Sequence, residues 1–274
     1  MIDEQQDSAG LQGAHQAIER GLRIDLRPIV AGGDPIQIVV HLHEHDGIEA
    51  ARAQIHVIGI DGTRLDILPV GEWVLRSACA QAKQWLDEGL LVGRMAVNVS
   101  GRQFALPDFS AQVAAILRET GLDPTKLELE IAESVVMANE NWAEKAIKQL
   151  KQLGVTLAID DFGTGYSRFG RLRHFAVDRL KIDRSFVTSI NECSDDRAIT
   201  AAIIAMSRSL RINVTAEGVE NFPQLLFLQE HDCQDAQGFL LSKALPAQGA
   251  RELLQRVAEV ADGTRTQRLK AIIG

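Results

Sequence analysis

Short apolar segments of strand length alternate with amphipathic segments of helical length along most of the chain, and this alternation restricts the possible folds more than any other feature. In one such unit Ala143, Ile147 and Leu150 recur at helical spacing, and Gly154 follows as a typical helix end. The next segment, residues 155–159, is short and apolar, as expected for a buried strand. Strands that alternate with helices pair in parallel through crossovers, so the sequence predicts an α/β fold.

The number of these units favours a closed barrel over an open sheet. Further strands are predicted at residues 94–97, 126–131, 177–182, 211–215 and 233–236. About eight strands in one domain of this size are typical of a (β/α)8 TIM-like barrel, which needs roughly 250 residues. The chain has 274 residues, and we expect a polar lead-in at 1–20, the barrel at 21–250 and a helical tail at 251–274.

Polar side chains follow the predicted strands at the point where each strand ends. They are Asn98, Glu130, Asp160, Asp161, Lys181, Asp183, Glu217 and Gln237. Active sites of such barrels lie at the carboxyl ends of the strands. Side chains alternate between faces along a strand, so Glu128 and Glu130 are predicted to share the face toward the barrel axis. Several carboxylates are therefore expected to meet at one mouth.

Carboxylates gathered in this way repel one another and need a cation. The candidate ligands are oxygen atoms without a Cys or His cluster, which favours Mg²⁺, Mn²⁺ or Ca²⁺. Asp160 and Asp161 could hold two metal ions about 3.5–4 Å apart, the arrangement used to cleave phosphodiesters. Lys181 could orient a water or meet a phosphate, or it could simply pair with Glu130 or Asp183. A single aspartate after a strand is equally typical of a helix N-cap.

Charge and hydropathy exclude several classes of protein. The net charge of −8 provides no positive field for DNA, so no DNA partner is expected. No apolar run reaches the ~18 residues that a membrane span needs, and the acidic start lacks the features of a signal peptide. Cys79, Cys193 and Cys233 lie far apart and form no metal-binding motif, so a cytoplasmic chain with reduced thiols is expected.

Six motifs between residues 98 and 246 resemble, in the same order, those of the EAL domain family. They are NVS at 98–100, ELEIAES at 128–134, IDDFGTGYS at 159–167, VDRLKIDRSFV at 177–187, TAEGVE at 215–220 and QGFLLSKALP at 237–246. The family hydrolyses the bacterial second messenger cyclic di-GMP to the linear dinucleotide pGpG. The resemblance extends from about residue 20 to residue 250.

The resemblance implies roles for individual residues. Asn98, Glu130 and Asp160 match ligands of one metal ion, and Asp161 and Glu217 match residues that serve a second. The implied ions are Mg²⁺ or Mn²⁺ for hydrolysis, whereas Ca²⁺ inhibits.

Three further positions match residues around the metal ions. Lys181 matches the lysine that holds the attacking water, Glu133 the glutamate that anchors the loop after Asp161, and Gln237 a residue of the nucleotide pocket. The resemblance also implies a barrel whose first strand is antiparallel to the others, and a homodimer.

The first half departs from the family pattern. The opening strand, usually YQPIV, is LRPIV at residues 26–30, so Arg27 replaces a glutamine that contacts the nucleotide. The next strand should carry the signature Glu-Ala-Leu-x-Arg. Aligning Leu42 with the signature leucine, a nucleotide-contacting position, puts Val40 at the metal-binding glutamate and Glu44 at the phosphate-binding arginine.

A second alignment of this strand gives different replacements. An ungapped count from Pro28 puts His41 at the glutamate and His45 at the arginine. Neither alignment restores both residues. A missing carboxylate weakens the metal site, and Glu44 beside a phosphate would oppose binding. In the second alignment His41 could serve as a nitrogen ligand, which suits Mn²⁺ or Zn²⁺ better than Mg²⁺.

Three functional hypotheses remain open at this point. The first is a degenerate EAL domain with little or no hydrolysis, which acts as a regulatory or nucleotide-binding module. The second is an active phosphodiesterase in which His41 or a water replaces the glutamate. The third is a scaffold that binds an unknown protein partner and ignores cyclic di-GMP.

Overall fold

The structure is a computed structural model that describes residues 23–25, 37–40, 67–90, 93–164, 172, 175–243 and 245–259. Its strands are β1 (Arg23–Asp25), β2 (Gln37–Val40), β3 (Arg94–Val99), β4 (Leu127–Ala132), β5 (Thr156–Phe162), β6 (Arg179–Ile182), β7 (Asn213–Ala216), β8 (Asp235–Ala236) and β9 (Leu245–Pro246). Its helices are α1 (Ile67–Asp87), α2 (Gly101–Phe104), α3 (Phe109–Thr120), α4 (Glu133–Ala138), α5 (Glu140–Gln152), α6 (Arg184–Thr188), α7 (Ser194–Leu210), α8 (Phe222–Glu230) and α9 (Ala247–Glu259).

The strands form one sheet in which β2 to β8 are neighbours in chain order. Every pair from β2–β3 to β7–β8 is parallel, whereas β1 lies between β2 and β9 and is antiparallel to both. The TIM-like α/β fold and its antiparallel first strand are therefore confirmed. The opening strand expected at residues 26–30 lies outside the described residues. The described β1 precedes it.

Apolar side chains cover the outer face of the sheet and meet the helices. Leu127, Leu129 and Ile131 of β4 are buried in the main core together with Trp85 of α1 and Ile147 of α5. Full burial of such a side chain contributes about 1.5–3 kcal/mol. This packing fixes the strands so that the opposite face of the sheet, which carries the polar side chains, lies toward the barrel interior.

Side-chain helix caps directly follow two of the strands, β3 and β6. Ser100, which follows β3, forms a reciprocal capping box with Gln103 at the start of α2. Asp183, which follows β6, accepts a hydrogen bond from the Ser185 N–H and caps α6. Asp183 therefore has the N-cap role that the sequence left open. These caps fix where each strand stops, and so where the side chains at its end lie.

The carboxyl-terminal helix packs onto the same core. Ala250, Leu253 and Leu254 of α9 are buried, and the helix contacts β9 and β1. None of the described helices is long and apolar enough to cross a bilayer.

Candidate functional site

Lys181, at the carboxyl end of β6, is the centre of a buried charge cluster. Its side chain is only 1% exposed. Its Nζ lies 2.7 Å from Glu130 Oε2, 2.6 Å from Glu217 Oε1 and 3.1 Å from Asp160 Oδ1. The sequence allowed an ion pair with Glu130 or Asp183; the structure pairs Lys181 with Glu130 and adds two carboxylates. One ammonium group faces three carboxylates, so the cluster retains negative charge that a further cation would balance.

Asp160, Asp161 and Glu217 can hold such a cation. Each offers a carboxylate oxygen, and these oxygens lie within 4.8 Å of one another. Glu130 Oε1 is buried and receives no hydrogen bond from the described residues. Oxygen donors of this kind suit Mg²⁺, Mn²⁺ or Ca²⁺, so the residues present fit the metals expected from the sequence.

A β-bulge explains how two consecutive aspartates reach the same site. Ile159 pairs with Leu180 and Phe162 with Ile182, so Asp160 and Asp161 together oppose Lys181. Asp161 has a φ of 53°, in the left-handed region. In a regular strand consecutive side chains point to opposite faces, and one of the two carboxylates would face the helices. The bulge lets both carboxylates contribute to the group with Glu217.

Burial and mutual repulsion shift the acid–base properties of the cluster. Burial raises the pKa of Glu130 to about 8; Lys181 opposes this shift and neighbouring carboxylates increase it. Burial also raises the pKa of Asp161 to about 6, with Asp160 as the next cause. Burial disfavours charge on Lys181, but Glu130, Glu217 and Asp160 outweigh it and raise its pKa well above its usual range. Without a further cation the carboxylates are therefore held at a free-energy cost.

Glu133 connects the site to the loop that follows β5. It is the first residue of α4, and its buried Oε2 accepts a hydrogen bond of 2.9 Å from the Gly163 N–H. The structure thus places Glu133 where the resemblance implies, against the segment after Asp161. Residues 165–171 of that loop lie outside the described residues.

Asn98 and Gln237 occupy two further strand ends. Asn98 pairs with Glu130 in the β3–β4 ladder and is exposed at the mouth. Gln237 directly follows β8 and is fully buried, and its Nε2 donates to Glu217 Oε1 at 3.3 Å. Its Oε1 has no hydrogen-bond partner among the described residues. A buried amide oxygen of this kind can accept a hydrogen bond from a ligand.

The candidate positions of the first half are largely outside the described residues. These are Arg27, His41, Leu42 and Glu44. Val40 is the last residue of β2, and its backbone pairs with Val97. Asn98 follows Val97 along β3, so Val40 is not in the ladder row that joins Asn98 to Glu130.

Sequence reasoning missed a second buried ionic group on the interior face. Arg179 Nε lies 3.3 Å from Glu128 Oε2, and Arg179 Nη1 also contacts Asp235. Glu128 was placed on the correct face, but no partner was assigned to it. The spacing in the sequence could have revealed this group, because Glu128, Arg179 and Asp235 each lie two positions before a residue of the site.

Comparison with known proteins decides the family. The sequence profile of the EAL domain matches residues 16–244, which is most of the chain. The chain belongs to the EAL domain family. It is 42% identical over 192 residues to the bifunctional diguanylate cyclase/cyclic di-GMP phosphodiesterase MucR of Pseudomonas aeruginosa, covering 70% of this chain and 28% of MucR. The chain spans between 22% and 29% of the length of the first curated relatives it matches.

Solved EAL structures share the fold. The PaMucR phosphodiesterase in complex with c-di-GMP aligns with a TM-score of 0.72 and 34% identity, covering 88% of this EAL domain and 99% of that chain. Klebsiella pneumoniae BlrP1 in a manganese/cy-diGMP complex aligns with a TM-score of 0.66 and 26% identity, covering 81% of this chain and 56% of BlrP1. A calcium/cy-diGMP complex of BlrP1 aligns equally well, at 27% identity and 82% and 56% coverage.

Proposed function

We propose that this chain is a degenerate EAL domain of cyclic di-GMP signalling, which binds the nucleotide and a divalent metal ion but hydrolyses the nucleotide slowly or not at all. The observation that carries the proposal is the contrast between the two halves of the site. Lys181 contacts Glu130, Asp160 and Glu217, whereas the signature strand has neither the glutamate nor the arginine in either alignment.

The retained half supports metal and nucleotide binding. Asp160, Asp161, Glu217 and Glu130 would hold Mg²⁺ or Mn²⁺. A bound ion would neutralise phosphate charge and acidify a water. Gln237 has a buried amide oxygen that no described residue hydrogen-bonds, near Glu217, and is suited to accept a hydrogen bond from the nucleotide.

Lys181 is suited to orient a water or a phosphate oxygen. Its ammonium group is held from three sides by carboxylates at 2.6–3.1 Å, so its position is fixed before any ligand binds. A preorganised cation of this kind stabilises negative charge at one defined point. These features alone would suit a phosphodiesterase.

The signature strand supports impaired hydrolysis. Removing one carboxylate lowers the affinity of the site for the ion and the charge available to activate water. Removing the arginine takes away a bidentate phosphate contact. The first loss acts mainly on catalysis and the second weakens nucleotide binding as well, but the second half still offers its own contacts to the ligand.

Isothermal titration calorimetry with cyclic di-GMP tests the binding proposal. With Ca²⁺ present to block hydrolysis, we expect saturable binding by the natural chain and weaker binding by Asp160→Asn. The matched control is Asp108→Asn, an exposed aspartate before α3 whose side chain makes no helix-cap hydrogen bond. Absence of binding by the natural chain would favour the protein-binding scaffold instead.

Product analysis tests the catalytic half of the proposal. With Mg²⁺ or Mn²⁺ and high protein concentration, we expect little or no pGpG. The complete carboxylate cluster favours the alternative of an active phosphodiesterase. Rapid formation of pGpG that Glu130→Ala abolishes would establish that alternative.

A homodimer and an additional protein partner are further proposals, which sedimentation and capture experiments on the full-length protein would test.

A further inference from the structure

A second charged layer is buried beneath the candidate site. We call Glu128, Arg179 and Asp235 the lower layer. All three side chains are at most 5% exposed. Arg179 Nε is 3.3 Å from Glu128 Oε2, and Arg179 Nη1 donates to Asp235 Oδ2 and, at 2.8 Å, to Thr215 Oγ1. One guanidinium group therefore joins side chains from three other strands.

The lower layer lies on the same strands as the site. Glu128, Arg179 and Asp235 come two residues before Glu130, Lys181 and Gln237, which belong to the site and lie on or directly after β4, β6 and β8. Side chains two residues apart share a face, and the strand rises about 3.3 Å per residue. Each lower-layer residue thus lies two positions before one site residue, on the same face of the sheet.

Arg179 joins strands that are not neighbours in the sheet. β5 lies between β4 and β6, and β7 lies between β6 and β8. Ala158 of β5 pairs with Arg179 in the ladder and carries only a methyl group, which leaves room for the guanidinium to reach Glu128. Thr215 of β7 accepts one of its hydrogen bonds. The bridge therefore spans β4 to β8, the arc that carries the carboxylate cluster.

Burying these charges costs free energy, and apolar residues of similar size often give equal or greater stability. The planar guanidinium, in contrast, fixes the direction of its partners because its donors have a rigid geometry. The ionic layer is therefore better suited to fixing the relative positions of the strands than to increasing the stability of the fold.

We propose that Arg179 is a positioning residue, which holds β4, β6 and β8 so that Lys181 meets Glu130, Asp160 and Glu217 at hydrogen-bonding distance. The link between this geometry and metal affinity rests on the proposed function. The proposal that Arg179 positions the three strands does not rest on that function.

The ammonium group of Lys181 reports the geometry without any ligand. In the full chain labelled with ¹⁵N at lysine Nζ, a buried ammonium held by three carboxylates should exchange its protons slowly and give a resolved NMR signal. Lys181→Arg identifies this signal by its loss. We expect Arg179→Met to shift it and to speed its proton exchange, while Lys151→Met leaves it unchanged. Lys151→Met is the matched control because it removes a partly exposed salt bridge between α5 and Asp178.

A triple variant separates position from stability. Glu128→Gln, Arg179→Met and Asp235→Asn together remove the lower layer and leave only Arg94, a side chain that is 30% exposed and lies 3.4 Å from Glu128, without its carboxylate. Because that guanidinium group reaches solvent, most of the stability lost in Arg179→Met should return. We expect the altered Lys181 signal to persist in the triple variant. A triple variant with the natural signal would overturn the proposal, as would an unchanged signal in Arg179→Met or the absence of a protected signal in the natural chain.

Manganese titration supplies the second measurement. We expect Arg179→Met and the triple variant to bind Mn²⁺ about 10–100-fold more weakly than the natural chain, the usual effect of removing a group that orients ligands. Unchanged Mn²⁺ affinity in both variants would overturn the link to metal binding. If the natural chain binds no Mn²⁺, the proposed function fails, and the NMR comparison still decides the role of Arg179.

Discussion

At the scale of single residues, Lys181 acts as an internal cation for the site. Its ammonium group contacts Glu130, Asp160 and Glu217, and both Lys181 and Glu130 are almost completely buried. Removing one partner of a buried ion pair leaves an uncompensated charge, which costs more than the pair contributes. The stability of the chain and the chemistry of the site therefore depend on the same side chain.

Lys181→Met should lower the free energy of unfolding by about 3–5 kcal/mol in metal-free buffer. Urea denaturation followed by circular dichroism measures this loss. The double variant Lys181→Met/Glu130→Gln should recover part of it, because the buried carboxylate is then neutral. Lys83→Met is the control, since Lys83 forms an exposed i,i+4 pair with Asp87 and should change stability by less than about 1 kcal/mol. Equal losses in the two single variants would contradict the buried pairing.

The three cysteines should differ sharply in reactivity. Burial raises the pKa of both the Cys79 and Cys233 thiols from an ordinary value of 9.0 to about 12, whereas Cys193 is partly exposed. The thiolate is the reactive form, so only Cys193 should react rapidly with iodoacetamide near pH 8 in the native chain. Mass spectrometry of the alkylated chain measures this, and all three should react in urea.

The same thiols predict a loss of stability in alkaline solution. Their pKa is higher in the folded chain than in the unfolded chain, so between about pH 9 and pH 12 the unfolded chain binds fewer protons. The free energy of unfolding should therefore fall as the pH rises through this window. Rapid native alkylation of Cys79 or Cys233 near pH 8 would contradict the burial on which both expectations depend.

At the scale of elements, the turn after β8 is held against the segment after β7. The Val219 N–H donates to Gln237 O at 2.9 Å, and the Leu240 N–H donates to Val219 O at 3.0 Å. A Cβ on Gly238 would lie 2.2 Å from Val219 O and 2.3 Å from Val219 N. Backbone atoms cannot rotate away from such a clash, so this contact requires glycine. It also sets the position of Gln237, the preceding residue.

Gly238→Ala should destabilise the chain by about 3 kcal/mol or more, at or above the upper end of ordinary overpacking. Gly249→Ala is the matched control. Gly249 lies in α9, where an added Cβ would meet only ordinary contacts at 3.6–3.7 Å, and alanine favours helix by about 1 kcal/mol. The two variants should thus change the urea midpoint in opposite directions. A Gly238→Ala chain as stable as the natural one would contradict the close approach.

The elements also show how far sequence reasoning reaches. The strands of the second half were predicted to within a few residues, because apolar runs bounded by glycine and polar residues leave few alternatives. The convergence of Glu130, Asp160, Lys181 and Glu217 followed from parallel strands that end at one edge.

The bulge at Asp161 could not be predicted in the same way. A positive φ at a non-glycine residue depends on tertiary contacts and has no periodic signal. The three-carboxylate environment of Lys181 depends on side-chain directions that strand alternation does not supply. The lower layer escaped notice for a related reason, since Arg179 bridges strands that are distant in sequence.

At the scale of the whole molecule, the proposed function depends on what the signature strand of the first half contributes to the site formed by the later strands. The charge of −8 does not exclude a phosphate ligand, because the acidic residues of the site are placed where cations bind. Under the proposed function, the replacement of one carboxylate and one arginine is what opposes hydrolysis. Restoring them should therefore restore function, provided that they are placed in the correct alignment of the signature strand.

The backbone pairing of β2 favours one alignment. Val40 pairs with Val97, and Asn98, a metal-ligand candidate, comes one residue later. A glutamate that shares the Asn98 row must therefore follow Val40 in the chain, and the residue after Val40 is His41. We expect His41→Glu/His45→Arg to strengthen cyclic di-GMP binding about 10-fold or more, since charged hydrogen bonds contribute about 1.5–3 kcal/mol each. Val40→Glu/Glu44→Arg should give no such gain.

Calorimetry in Ca²⁺ compares the two double variants with the natural chain, and product analysis in Mn²⁺ follows the appearance of pGpG. If the Val40→Glu/Glu44→Arg chain binds more tightly, the alignment on Leu42 is correct and the strand slips by one residue relative to β3. Since a one-residue slip transfers every side chain to the other face, the two variants cannot both restore the site. If neither does, the defect extends beyond these two positions.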